Sequence, residues 1–231
     1  MKFLAGFTLL KVAISMKKTT KMQIFISILS LLPLVLVLAV YSKLPDKVPM
    51  QWSLNGNIRY DDKNNLFIMA IMAIVFAFMF PLLPKIDPKK KNYDKFGSSY
   101  QMFQIFMMLF MLFMTAICVI EAFKPNTLNV SMLVCALVGI LFAVIGNMMP
   151  RFRSNWFCGI RTPWTMSSDE NWTKTHRLGG KMFFIAGIVT LFSAFIPNEY
   201  FRFGIMMTVL MIACIVPSVY SYLLYKKEQN K

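Results

Sequence analysis

The sequence predicts an all-α integral membrane protein, a bundle of six transmembrane helices with both termini in the cytoplasm. Three observations predict it. Hydrophobic residues make up 57% of the 231-residue chain, more than a water-soluble domain carries. They gather into six runs of roughly the 17 to 25 residues that a helix needs to cross a bilayer. Lys and Arg concentrate in alternate connections, as expected of loops that stay on the cytoplasmic side. Because the runs are continuously apolar rather than alternating, each must satisfy its own backbone as a helix, and a barrel is disfavoured.

Residues 1–21 form a cytoplasmic amino-terminal extension with five Lys. No small-residue cleavage site follows the weakly apolar residues 1–15, so the expectation is an interfacial amphipathic segment, or an upstream extension of a chain beginning at Met16. The first run, Met22 to Tyr41, and the second, Leu66 to Leu83, flank an outer connection. That connection, residues 42–65, is predicted to be ordered. Pro45 and Pro49 stiffen its entry, and Asn55-Gly56-Asn57 supplies residues that tolerate positive φ. It reads as a cap over the first two helices with Trp52 at the interface, or as a surface recognising something from outside. In the second case Pro49, Gln51, Trp52, Asn55, Gly56 and Asp61 are the candidate contacts.

The basic loop 85–99 returns the chain to the cytoplasmic side and leads into a four-span region, residues 100–231. Its runs are Tyr100 to Ile120, Leu128 to Met149, Gly179 to Ile196, and Phe201 to Tyr222. Pro33, Pro81 and Pro217 lie in or near spans, a common packing feature. Counting Lys and Arg, residues 1–21, 85–99, 150–181 and 223–231 hold 19, against six in residues 42–65, 121–127 and 197–202. The formal charge of +15 is therefore topological, and no direct contact with nucleic acid is implied. Glu121 and Arg202 sit at span ends and no Asp, Glu, Lys, Arg or His lies mid-span, which argues against a proton relay.

The polar stretch 150–181 holds three of the four Trp residues and the single His. Arg151, Arg153 and Arg161 present planar forks suited to lipid phosphates. Thr162-Pro163-Trp164 turns the chain, and Ser167 to Glu170 fits a capping box with Ser167 as N-cap. A short helix is expected from there, with Asp169, Trp172, Thr175 and His176 on one face and Glu170–Lys174 paired on another. Gly179-Gly180 either ends that helix or lets the next span pack closely. Cys118, Cys135 and Cys214 lie in apolar runs and Cys158 in the polar stretch, without ligand spacing, so neither a disulfide nor a metal site is expected. No residue is assigned to catalysis and no cofactor is expected. An enzyme using His176 with Asp169 or Glu170, or a transporter lined by Gln104, Thr115 and Asn147, are the rival readings.

Together Gly146-Asn147, Pro150, Asn155, Gly159 to Trp164, Ser167-Ser168, Trp172 and Thr175 to Lys181 form a specific pattern. It includes Arg161, Thr162, Pro163, His176, Arg177, Gly179 and Gly180. At these residues the chain resembles the SdpI family, membrane proteins named for immunity to a sporulation-delaying toxin. The outer connection likewise resembles a short domain of unknown function common in these proteins, close to LPDxVPxHWNxxG, with Gln51 in place of the His and Ser53 in place of the Asn. The resemblance implies a bacterial plasma-membrane protein that protects its cell from a secreted, membrane-active peptide toxin. It also implies a receptor mode, in which the toxin-bound protein holds a cytoplasmic transcriptional repressor at the membrane.

Overall fold

The computed structural model describes residues 2–230, with side chains from residue 21 to residue 230. Helix α1 (Lys2–Val40) leads through a short 3₁₀ turn into strands β1 (Lys47–Trp52) and β2 (Ile58–Asp62). Helices α2 (Leu66–Ile86), α3 (Tyr93–Phe123) and α4 (Val130–Met148) follow. Beyond an irregular loop come the short α5 (Pro163–Ser167), then α6 (Asp169–Ser193) and α7 (Glu199–Gln229). The six predicted runs fall in the six long helices. The reading of residues 1–15 as an interfacial segment concerns side chains outside the described residues.

Five of these helices are long and apolar enough to cross a membrane; α6 is not. Its first turns carry Asp169, Glu170, Lys174, His176, Arg177 and Lys181, which dilute the apolar stretch that follows. Large apolar side chains such as Phe78, Phe192 and Phe201 point outward with about two-thirds of their surface exposed. That outward apolar surface suits a lipid environment, and the chain is a multi-pass membrane protein.

Hydrogen bonds fix the long helices end to end. Arg202, in the first turn of α7, donates to the Asn129 side chain that caps α4, whereas Ser221, near the other end of α7, meets Thr162 beside α5. The hairpin and the α3–α4 turn therefore lie at one end of the bundle, and the 85–99 and 149–168 connections at the other. Two groups of helices result. In the first, α1, α2 and α3 pack on one another around Phe80, Tyr93, Phe96 and Tyr100. In the second, α6 lies between α4 and α7.

The α4–α6 contact is backbone against backbone. A Cβ added at Gly146 would sit 2.2 Å from the Phe184 nitrogen, and one at Gly187 would sit 2.2 Å from the Ala143 nitrogen. Small residues at such crossings maximise dispersion contact where lipid offers no hydrophobic drive between helices.

Two expectations need correction, and one choice left open is decided. The outer connection is not merely an ordered loop in an all-α protein but an antiparallel hairpin, with Val48 opposite Asp61 and Trp52 opposite Ile58. Its turn closes through Ser53 and Asn57, and Gly56 adopts the positive φ (79°) that the turn requires. Fully buried Val48 roots it among Val37, Leu44 and Leu66. Next, the N-cap of α6 is Ser168, whose side chain accepts from the Asn171 N–H at 3.2 Å. Ser167 instead donates to the Trp164 carbonyl at the end of α5. Of the two uses expected for Gly179-Gly180, close packing is the one found: α6 runs unbroken through them, with Gly179 against Ile160 and Gly180 against Pro150 and the Gly146 carbonyl of α4.

The glycine contacts predict a sharp contrast. Gly187→Val has no space and is expected to lower stability by about 3 kcal/mol, whereas Gly204→Ala, with nothing within 4 Å of its Cβ, leaves it unchanged or raised. Thermal melting of the detergent-solubilised proteins checks both.

Candidate functional site

Two regions hold the residues singled out by sequence. The first is the hairpin. Gln51, Asn55 and Gly56 are exposed, Trp52 and Asp61 are half-buried, and Pro49 is buried against the helices. Asp61 pairs with Arg59 at 3.3 Å. The hairpin thus presents its turn and one side of β1, while Pro49 serves as a foot.

The second region is the loop from Pro150 to Trp164 with the start of α6. The loop is irregular, so its backbone groups need side-chain partners. Asn155, fully buried, supplies several of them. Its Oδ1 accepts from the N–H groups of Phe157 (2.9 Å) and Cys158 (2.6 Å), and its Nδ2 donates to the carbonyls of Arg153 (2.8 Å) and Cys158 (3.0 Å). Asp87, buried at the end of α2, accepts from the Lys89 and Trp156 N–H groups at 2.7 and 2.9 Å. Tyr93 brings one hydroxyl proton to both centres. It lies 3.0 Å from the Asp87 carboxylate and 3.3 Å from Asn155 Oδ1, and the charged, nearer acceptor takes it. Lys89 and Asn92 donate to Ser154, so the 85–99 connection is clamped to the loop.

His176 completes the other side. Its Nε2 accepts from the Ile160 N–H at 3.0 Å, which leaves the ring proton on Nδ1, facing the Trp172 carbonyl at 2.8 Å. The ring stacks on Trp172 with centroids 4.0 Å apart, and the Trp172 indole donates to the Phe152 carbonyl. Burial pulls the imidazole down to about 4, so it is neutral at cellular pH. Gly159 sits against this ring at φ 109°; a Cβ there would lie 2.2 Å from Nε2. Gly179 and Gly180 make room for Ile160 and Pro150 in the same way.

The loop is then tied to α7. Thr162 caps α5 in a reciprocal arrangement with Thr165 and meets the Ser221 hydroxyl at 2.9 Å. Asn171 donates to the Ser221 carbonyl, and Trp164 packs against Tyr222. Asn147, Pro150, Arg161, Pro163, Ser167, Arg177 and Lys181 remain exposed. Arg161 donates to the Trp156 carbonyl, and the Trp156 side chain is exposed beside it. The predicted Glu170–Lys174 pair forms at 2.5 Å.

The expected common face of α6 is only partly assembled. Trp172, Thr175 and His176 are buried, but the Asp169 side chain is 80% exposed and pairs with Lys89. Both ring nitrogens of His176 are occupied, so it is not poised as a base beside Asp169 or Glu170. Cys158, pushed up to about 11 by burial, holds little thiolate and is a poor labelling site. Sequence reasoning missed Asp87, Tyr93, Asn92 and Ser221. Only Asp87 left a trace, an acid between Pro84 and Pro88 at the start of a connection with five Lys.

Asn155→Ala strands several buried backbone groups, at about 1–3 kcal/mol each, and should lower the melting temperature and the yield of folded protein. The pH response follows from His176. Its imidazole titrates near 6.5 unfolded and near 4 folded, so the unfolded chain binds more protons in between. The contribution is full above pH 6.5 and is lost as pH falls towards 4, up to about 3 kcal/mol. Melting curves across that window should flatten in His176→Gln relative to the parent.

Residues 151–221, covering this loop, α5, α6 and most of α7, match the SdpI/YfhL protein family. Residues 28–84, spanning the hairpin and its flanking helices, match a domain of unknown function, DUF1648. The chain is 25% identical over 189 residues to the immunity protein SdpI of Bacillus subtilis (strain 168), an alignment covering 81% of this chain and 88% of that protein. No solved structure matches the chain. The chain thus joins an SdpI/YfhL-family region to an amino-terminal DUF1648 domain and is a distant homologue of that immunity protein.

Proposed function

We propose that the protein is a non-enzymatic, six-span immunity protein of the bacterial plasma membrane that protects its cell against a secreted, membrane-active peptide toxin. The alignment with an immunity protein over most of both chains carries this reading. On it, α6 is the additional span. At 25 residues it is longer than α4 and shorter than α7, it packs closely on α4 from Gly180 to Leu191, and the clamp holds its polar start at one end of the bundle. The excess of Lys and Arg in residues 85–99 and 150–181 puts the clamp and both termini in the cytoplasm and the hairpin outside.

The receptor role follows the same geometry. The hairpin, with Gln51, Trp52 and Asn55, meets the toxin, and Pro49, Gly56 and Asp61 set its shape. The cytoplasmic face offers Arg151, Arg153, Arg161 and Arg177 to lipid phosphates and to a repressor protein. Because the clamp joins both cytoplasmic connections, a toxin that favours one packing of the helices changes how this face is presented.

Expression in a toxin-sensitive bacterium, challenged with a panel of peptide toxins, tests the function. Protection by the parent, with at least about tenfold loss in Trp52→Ala at unchanged membrane abundance, is the expected result. If Arg161→Ala, Trp164→Ala and His176→Gln lose protection only as the protein disappears from the membrane, the loop is scaffold rather than output. Topology is read with an impermeant maleimide. Asn57→Cys should label in intact cells and Ser167→Cys only after lysis.

A further inference from the structure

At the clamp end the two helix groups are joined by Lys89, Asn92 and Tyr93 on one side and Ser154 and Asn155 on the other. At the hairpin end they are not sealed. A cavity of about 800 Å³ lies there between α3, α4 and α7, roofed by β1 and the hairpin turn. Its size falls in the range of ligand pockets. Met50, Met69, Met114 and Met206 line it together with Trp52 and Phe203. Met walls are polarisable and adapt to irregular apolar partners.

One end of the cavity is polar, and Arg202 is its unusual member. The residue is 2% exposed. Nε and Nη2 donate to the Ile196 carbonyl, and Nη1 donates to Asn129 and Ser131. All these acceptors are neutral, and Arg202 forms no ion pair among the described residues. Neither of the two acids that share the cavity forms an ion pair with it. Glu121 accepts from the Asn126 and Leu128 N–H groups, while Glu199 makes no ion pair one turn before Arg202. A buried guanidinium normally has a carboxylate or phosphate, and one of its five N–H donors is still free.

We propose that this cavity binds the toxin through an apolar peptide segment carrying a carboxylate, the apolar side chains against the Met and Trp wall and the carboxylate on Arg202. The proposal rests on the immunity reading and deepens it by naming the chemistry recognised. A peptide fits better than a lipid. Asn126, Asn129, Ser131 and Ser53 scatter donors and acceptors around the lining, which a peptide backbone satisfies and an acyl chain does not.

The test uses the full chain in phosphatidylcholine nanodiscs, titrated calorimetrically with an N-acetylated apolar hexapeptide as free acid and as amide, with empty discs subtracted. The acid should bind at least about tenfold more tightly than the amide, and Arg202→Gln should erase that difference. Because Arg202→Gln also removes helix-end bonds, Met206→Trp serves as a second variant. It fills the cavity, leaves those bonds intact and should abolish binding. Equal binding of acid and amide, or normal binding by Met206→Trp, overturns the proposal. Loss of peptide binding in phosphatidylglycerol-doped discs, dependent on Arg202, assigns the cavity to lipid and also overturns it. The toxin challenge separates the two readings. If parent and Met206→Trp both protect, immunity stands and the cavity is not the site; if the parent binds the acid but does not protect, the immunity reading fails instead.

Discussion

Irregular backbone packed onto helix ends must have its N–H and C=O groups answered by the protein itself, and the rest of this structure depends on how that is done. Residues 152–162 form no regular element, yet they cover the ends of helices from both groups. Asn155 alone engages four backbone groups. Asp87, Thr165 and His176 take others. Each of these side chains is buried, so each is useful only while its neighbours stay in place. The loop, the 85–99 connection and the start of α6 therefore behave as one unit.

That dependence explains the residue types in the loop. Gly159 has no alternative, since its φ is left-handed and the imidazole occupies the place of a Cβ. Trp172 fills space and donates one hydrogen bond, which neither Phe nor Leu does. His176 is needed as a neutral ring with one donor and one acceptor, and burial keeps it so. A constellation that suggests acid–base chemistry by composition is, in three dimensions, a set of fitted parts.

Much of this was legible in the sequence, and the rest was hidden for physical reasons. Apolar runs fix where helices lie because a bilayer leaves the backbone no other choice, and the i,i+4 spacing of Glu170 and Lys174 fixes their pairing. The order in residues 42–65 was readable from Pro and Asn-Gly, but not the strands, since one two-stranded hairpin alternates too briefly to announce itself. Ser167 and Ser168 are chemically equal candidates for a cap, and only the loop's path selects the second. The meeting of Asp87 and Tyr93 with Asn155 spans more than sixty residues, a distance that no local pattern encodes. Arg202 read as a span-end cation; its burial without an ion-pair partner among the described residues appears only when α4 and α7 are brought together.

The polar beginning of α6 has a consequence for biogenesis. On the six-span reading, this helix is a weak candidate for independent insertion, because its apolar part starts only after Lys181 and is short. Its transfer into the bilayer is expected to be assisted by α4, already threaded, whose glycine face it matches, and completed when α7 emerges to bury its other side. A nascent chain halted before α7 would then expose a marginal segment to the quality-control proteases, making the last third of the polypeptide a single assembly step rather than two.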